Sequence, residues 1–323
     1  MMSARDPSFV ASLRELVRGD VREGEALSRW STYRIGGPAT VLFPADAEDV
    51  ALALQHCAAL EVPWFALGLG SNLLFPDAGL DALVIRLGKG LDAFRQDADR
   101  FTLGAGLPAP LAAKRTAAAG FGGIHKMVGV PGSVGGGIVM NAGCHHAEWR
   151  DTVVSVLLVD AAGMDHVVSA AECGFSYRRS ALGSVVVLEA TVALLASDPA
   201  ALEAETEALY AWRREGTPFN LPCCGSVFKN PESREPAGTE QTGPGSPRTS
   251  GQFIERTGLK GHRVGGAEVS PMHANYFVNL GDATAHDVLS LMRLVRDRVR
   301  DQWGVVLEPE VKLIGATGAV VPL

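Results

Sequence analysis

Hydrophobic and polar positions follow two periods along this chain, and the switches between them mark its elements. Residues 284–303 carry Val288, Leu291, Val295 and Val299 at helical spacing, so one stripe is apolar and the rest is polar. Thr284 stands at the start with Asp287 three residues on, the pattern of a capping box, and Gly304 ends the helix. The period then drops to two. Glu308, Glu310 and Lys312 fall on one face and Leu307, Val311 and Leu313 on the other, which predicts a strand over 305–314.

Upstream, the same reading predicts a helix over 46–60 and strands over 64–67, 83–87 and 101–103. The Ala-rich stretch 107–119 reads as a helix closed by Gly120. The continuous apolar run 153–159 predicts a buried strand. Asp198-Pro199 supplies an N-cap and a first-turn proline for a helix that reaches about Arg214. A boundary there divides the chain into a lead-in (1–30), one domain (31–197) and a second (198–323). Residues 232–250, rich in Gly, Pro, Ser and Thr, predict a flexible surface loop.

Two segments break both periods. Residues 129–143 read GVPGSVGGGIVMNAG, with four glycines between Pro131 and Ile138, and upstream stands Gly68-Leu69-Gly70-Ser71-Asn72. Glycine lets a ligand approach the main chain, and a row of bare N–H groups suits an anion such as a pyrophosphate. Two such loops suggest a dinucleotide. Neither is the Rossmann fingerprint, because Leu73 occupies the place of the third glycine, and there is no Walker A lysine. Each loop taken alone is equally well a turn.

Composition narrows the classes. With 47% hydrophobic and 20% charged residues the chain has enough apolar material for a sizeable core. A net charge of −7 argues against a general nucleic-acid binder, which needs a basic face. The 5 cysteines are odd in number and show no CxxC spacing, so neither a disulfide framework nor a zinc site is expected. The first residues have no signal-peptide pattern, and no apolar run approaches the ~20 residues of a membrane span. Cytoplasmic location is the expectation.

Chemistry-bearing candidates are scattered. Ser226 in Gly225-Ser226-Val227-Phe228-Lys229-Asn230-Pro231 is not in a nucleophile elbow, and by itself reads as a turn hydroxyl. Tyr177-Arg178-Arg179 and Glu308-Pro309-Glu310 by themselves read as surface charge. Adjacent His145 and His146 on a loop lack a sensible metal ligand set, so no metal is expected.

Taken in order, these segments carry more. They are Ser31-Thr32-Tyr33-Arg34-Ile35-Gly36-Gly37-Pro38, the two Gly loops, Tyr177-Arg178, GSVFKNP, Gly258-Leu259-Lys260-Gly261, VGGAEVSPMHANYFVN and Leu307-Glu308-Pro309-Glu310-Val311. The set resembles the UDP-N-acetylenolpyruvoylglucosamine reductase (MurB) family over about 31–315. The resemblance implies a PCMH-type, vanillyl-alcohol-oxidase-like FAD-binding fold of two α+β subdomains, followed by a C-terminal α+β substrate-binding domain. It implies non-covalent FAD held by Gly68, Gly70, Ser71, Asn72, Leu73, Pro131, Gly132, Ser133, Gly135, Gly136 and Asn141. NADPH would supply hydride to the flavin, whose N5 would pass it to the vinyl carbon of a nucleotide-sugar enolpyruvyl ether, giving a lactyl ether for peptidoglycan precursors.

By the same resemblance Arg178 would bind the substrate carboxylate, Ser226 would protonate the enolate-like intermediate, and Glu310 would stabilise its enol form. An ionised Glu310 would oppose the developing charge, so a raised pKa is expected there. Tyr177, Arg214, Lys229, Asn230 and His273 are expected substrate contacts, although Arg213 and Arg214 read equally well as solvated helix-end charges. Cys144-His145-His146 and Cys223-Cys224 depart from the family pattern, and 232–250 is longer than usual. The chain between Arg178 and Ser226 is too short for the tyrosine lid of the longer subtype. An FAD-dependent sugar or alcohol oxidase of the same fold, or a non-catalytic nucleotide-sugar binding module, would share the Gly loops without needing Arg178, Ser226 and Glu310.

Overall fold

The computed structural model describes residues 2–231 and 247–323. The lead-in is built into the first layers. Asp6 caps the helix Pro7–Leu16, whose Phe9, Val10 and Leu13 enter the largest apolar cluster. The strand Asp20–Ala26 then pairs antiparallel with Pro38–Phe43, which runs parallel to Leu83–Arg86 and so to Trp64–Leu67. Asp46 caps the helix Ala47–Ala59 by accepting from the Asp49 N–H.

A second, five-stranded antiparallel sheet has Val153–Asp160 and Val185–Ala193 at its centre. Alternate residues of Val185–Ala193 point into the same large cluster. The helices Ala109–Ala118 and Pro199–Gly216 pack together, and both pack on the turn Ile124–Gly129. Leu202, Thr206, Leu209 and Arg213 form the inward stripe of Pro199–Gly216, so this helix lies on the first region although the second was expected to begin with it.

The last region holds a four-stranded antiparallel sheet in the order Cys223–Ser226, Tyr276–Asn279, Ala267–Val269, Arg263–Val264. The long helix Ala285–Trp303 covers it with Val288, Leu291, Met292, Val295 and Val299, between the expected Thr284–Asp287 capping box and the left-handed Gly304. Tyr33, Ile35 and Leu74 from the first region complete this core. The strand Lys312–Ile314 pairs in parallel with Leu73–Leu74, directly after the first Gly loop.

Three expectations change. The strand over 305–314 shrinks to Lys312–Ile314. Pro309 has no N–H, and the segment before Lys312 bonds instead along residues 227–229: Lys229 N donates to the Glu308 carbonyl, and Glu310 N to that of Val227. The alternation still holds, because Leu307, Val311 and Leu313 are buried. Most of the expected flexible loop, 232–246, lies outside the described residues, but its end is ordered: Thr249 and Gln252 form a capping box for the helix Ser250–Arg256. The second Gly run is a short helix, Val134–Met140, capped by Ser133.

Candidate active site

The two Gly loops touch. A Cβ on Gly68 would stand 2.4 Å from Ser133 Oγ, so only glycine permits this approach. Ser71 Oγ donates to the Pro131 carbonyl at 2.8 Å, tying the loops together. Gly70 has φ +64°, and a Cβ there would meet the Trp30 carbonyl at 2.0 Å. Thr32 N donates to Gly70 O, so the segment 31–34 closes over the loop.

The backbone N–H groups of residues 68–72 donate to nothing among the described residues, and neither do those of Gly132 and Ser133. That is the donor set for a pyrophosphate. Further along the run the N–H groups are engaged: Val134 to the Leu107 carbonyl, Gly135 to that of Ala105, Gly136 to Ser133 Oγ and Gly137 to the Ser133 carbonyl. The first loop is therefore the richer cradle, with Pro131, Gly132 and Ser133 facing it.

Asn72 looks the other way. Its Nδ2 donates to the Glu310 carbonyl at 3.1 Å and its own carbonyl accepts from Lys312 N at 2.9 Å. Leu73 begins the strand shared with Lys312–Ile314, and its carbonyl accepts from the buried Cys224 thiol at 3.2 Å. Cys224 is thus a packing residue behind the loop, and burial pushes its thiol up to about 12. Cys223, half-buried, lines the adjoining cavity.

Asn141 is fully buried in a left-handed conformation at the end of the short helix. Its Nδ2 donates to Glu148 Oε2 and to the Ser176 carbonyl, both at 2.9 Å, and its Oδ1 accepts from Arg150 N. The side chain is fully engaged by protein, so Asn141 serves the turn that carries Tyr177 and Arg178.

That turn is closed by hydrogen bonds in both directions between Ser176 and Arg179, and Arg178 sits in it at φ +55°. Arg178 Nε donates to Glu310 Oε1 at 2.9 Å, Nη2 donates to the Gly143 carbonyl at 3.1 Å, and Nη1 stands 3.6 Å from Glu148 Oε1. The Tyr177 ring lies 4.8 Å below the guanidinium, and its hydroxyl meets the Asn230 backbone N–H. Burial raises the Glu310 carboxyl above its ordinary range, outweighing the opposing pull of Arg178.

Ser226 directly precedes Val227, whose carbonyl accepts from Glu310 N at 2.8 Å, so its backbone lies next to the segment that carries Glu310. Its hydroxyl makes no hydrogen bond among the described residues. Lys229 stands 3.6 Å from the exposed Glu308 carboxylate. The Asn230 side chain is taken up at the start of the helix Ser250–Arg256, where its Oδ1 accepts from Ser250 N.

A cavity of about 350 Å³ is lined by Thr32, Arg34, Pro131, Arg213, Cys223 and Tyr276 among others, and reaches Gly225, the residue before Ser226. Arg213 reaches it; Arg214, the expected contact, is exposed and does not line it. Arg213 donates from Nη2 to the Tyr276 hydroxyl at 2.6 Å, and its Nε is buried without a partner among the described residues. His273 packs edge-on against Tyr276 and accepts from Asn275 N; burial and Arg213 lower its pKa. His145 and His146 form the left-handed turn of a small hairpin, with His145 against Trp212. Among the described residues no group of three or more His, Cys, Asp or Glu is placed to hold a metal, and no helix is long and apolar enough to cross a membrane.

The fold and these two loops define a flavoprotein: an FAD-binding family matches residues 38–169. The donor-rich, side-chain-free cradle between the loops fits that cofactor's pyrophosphate. The C-terminal domain of UDP-N-acetylenolpyruvoylglucosamine reductase matches residues 217–314. The chain is 37% identical to the UDP-N-acetylenolpyruvoylglucosamine reductase of Halalkalibacterium halodurans, covering 95% of this chain and 98% of that one. It is 40% identical to the Anaeromyxobacter enzyme of the same name, over 96% and 93%. The crystal structure of the Thermus caldophilus reductase (MurB) superposes with a TM-score of 0.76 at 32% identity, over 91% and 99% of the two chains. The chain belongs to the UDP-N-acetylenolpyruvoylglucosamine reductase family, and its cofactor is FAD.

Proposed function

We propose that this protein reduces the enolpyruvyl ether of UDP-N-acetylglucosamine enolpyruvate to the lactyl ether of UDP-N-acetylmuramate, for peptidoglycan precursors, in the cytoplasm. The observation that carries the reading is the Arg178–Glu310 pair, joined at 2.9 Å with both side chains less than one-fifth exposed. FAD, when bound, relays reducing equivalents from NADPH to the vinyl carbon of the substrate. Residues 68–72 with Pro131, Gly132 and Ser133 are its proposed holders, together with the structural support of Leu73, Gly135, Gly136 and Asn141.

Charge then develops toward the substrate carboxylate, and this chain's residues answer it. Arg178 offers a planar fork whose uncommitted N–H groups match a carboxylate. Fixed donors aimed where charge appears are worth roughly 3 kcal/mol each. Burial favours the neutral form of Glu310, and in that form its carboxyl supports the enol. Ser226 gives the proton from Oγ to the carbon bearing the carboxylate, and regains one from solvent. Arg213, through its unpartnered Nε, and Lys229 are the cations best placed for the diphosphate. Tyr177, Asn230 and His273 shape the wall of the site.

The test is an anaerobic one. Bound flavin is bleached with NADPH, the enolpyruvyl substrate is added, and the visible band is followed. Return of the oxidised band supports the whole reading. A flavin that stays reduced keeps the cofactor but removes the substrate.

A further inference from the structure

Glu148 stands beside the reactive pair and has no role in the scheme above. It lies on the hairpin strand Ala147–Glu148, opposite Gly143–Cys144, whose Gly143 carbonyl accepts from Arg178. Glu148 Oε1 is 3.6 Å from Arg178 Nη1, while Oε2 accepts from Asn141 Nδ2 at 2.9 Å and forms an ion pair with Arg150 Nε at 2.8 Å. Its side chain is only 16% exposed. The other hydrogen of Asn141 Nδ2 goes to the Ser176 carbonyl, so one buried amide fixes both this carboxylate and the backbone of the Arg178 turn.

We propose that Glu148 is a positioning residue for the reaction, a second carboxylate that holds the Arg178 guanidinium in place beside Glu310. The inference rests on the roles proposed above for Arg178 and Glu310. Two carboxylates share one guanidinium through different nitrogens. With both ionised the trio is net negative, so it favours a proton on one of them. Glu148 is locked by Asn141 and paired with Arg150, whereas Glu310 faces the site; the proton therefore belongs on Glu310. Arg150 is half exposed, so solvent screens its opposing effect. The other groups facing Glu310 are Lys229, Arg213, Lys312 and the Tyr177 hydroxyl; the cations among them favour its charged form, burial outweighs them, and Glu148 is the carboxylate that adds to burial.

The experiment compares kcat and KM against pH for the FAD-loaded wild type, Glu148→Gln, Glu148→Asp and Glu310→Gln, with flavin content and melting temperature as checks on folding. The rate depends on neutral Glu310, so it falls as pH rises through the Glu310 pKa. Glu148→Gln keeps the shape and the acceptor for Asn141 but removes the charge, which favours ionised Glu310. The alkaline limb should move to lower pH by about one unit, and kcat should fall roughly tenfold with KM little changed. Glu148→Asp should leave the limb at the wild-type position. A Glu148→Gln limb in the wild-type position, with or without a loss of rate, overturns the proposal. If Glu148→Gln does not fold, a displaced limb in Glu148→Asp overturns it instead. A limb that persists in Glu310→Gln removes the proposed role of Glu310 and this inference with it. Loss of the limb in Glu310→Gln alone, with none moved in Glu148→Gln, removes only the inference.

Discussion

Arg178 and Glu310, 132 residues apart in sequence, meet through an Nε-to-Oε1 hydrogen bond of 2.9 Å at the junction of the flavin-binding region and the C-terminal region. The base of the interaction is rigid on both sides. Arg178 is held in a closed turn, and Glu310 by backbone bonds to Val227 and Asn72.

Replacing Arg178 by Lys keeps the charge but removes the planar fork. We expect kcat/KM to fall about a hundredfold or more. Flavin content, measured by absorbance, should be unchanged, because Arg178 meets the second Gly run only at Gly143 and touches none of the proposed FAD holders.

Glu310→Gln should lower kcat by about two orders of magnitude and flatten the alkaline limb of its pH profile. The same group affects stability. Its pKa is raised in the folded protein, so its contribution is fully present below the ordinary carboxylate range and is lost as pH rises through the raised value. Denaturant midpoints measured against pH should show wild type losing ground to Glu310→Gln across that window, and parallel curves would contradict this.

A methyl group on Gly68 would run into Ser133 Oγ. Gly68→Ala should therefore push the loops apart and weaken FAD binding by about tenfold or more. Adding Ser133→Ala removes the clashing oxygen along with a helix cap worth about 1 kcal/mol. Flavin fluorescence titration should show the double variant binding FAD better than Gly68→Ala alone.

Burial pushes the thiols of Cys57 and Cys224 up to about 12. Both should resist alkylation at neutral pH until the protein unfolds. Peptide mass mapping after a timed reaction would decide this, and rapid labelling of Cys224 in the flavin-loaded protein would contradict it.

The elements most legible in the sequence were those with local punctuation. Asp198 and Thr284 cap their helices as read, because an N-cap acts within one turn. The second Gly run misled because its glycines answer to distant neighbours: a Cβ on Gly135 would stand 2.8 Å from Ala105 Cβ, and one on Gly137 2.3 Å from Trp149 Nε1. No pattern within 129–143 encodes those contacts. Helical phase could have separated Arg213 from Arg214, the residue expected at the site. Arg213 continues the inward stripe of Leu202, Thr206 and Leu209, and Arg214 lies about 100° further round. Arg178, Ser226 and Glu310 stood out by family resemblance. Glu148 did not, since a lone Glu after two histidines has no signature and its significance lies in the Arg178 turn some thirty residues on.

Leu73–Leu74 lends its edge to Lys312–Ile314, so the strand that follows the cofactor loop completes the sheet at the far end of the chain. The two regions recognised by separate families are therefore not interchangeable modules. A fragment lacking the first region would leave Lys312–Ile314 with an open ladder edge and uncover Leu313, conditions that favour self-association. Grafting a C-terminal region from a relative would have to preserve this seam, and the evolutionary freedom of either half is limited by the other.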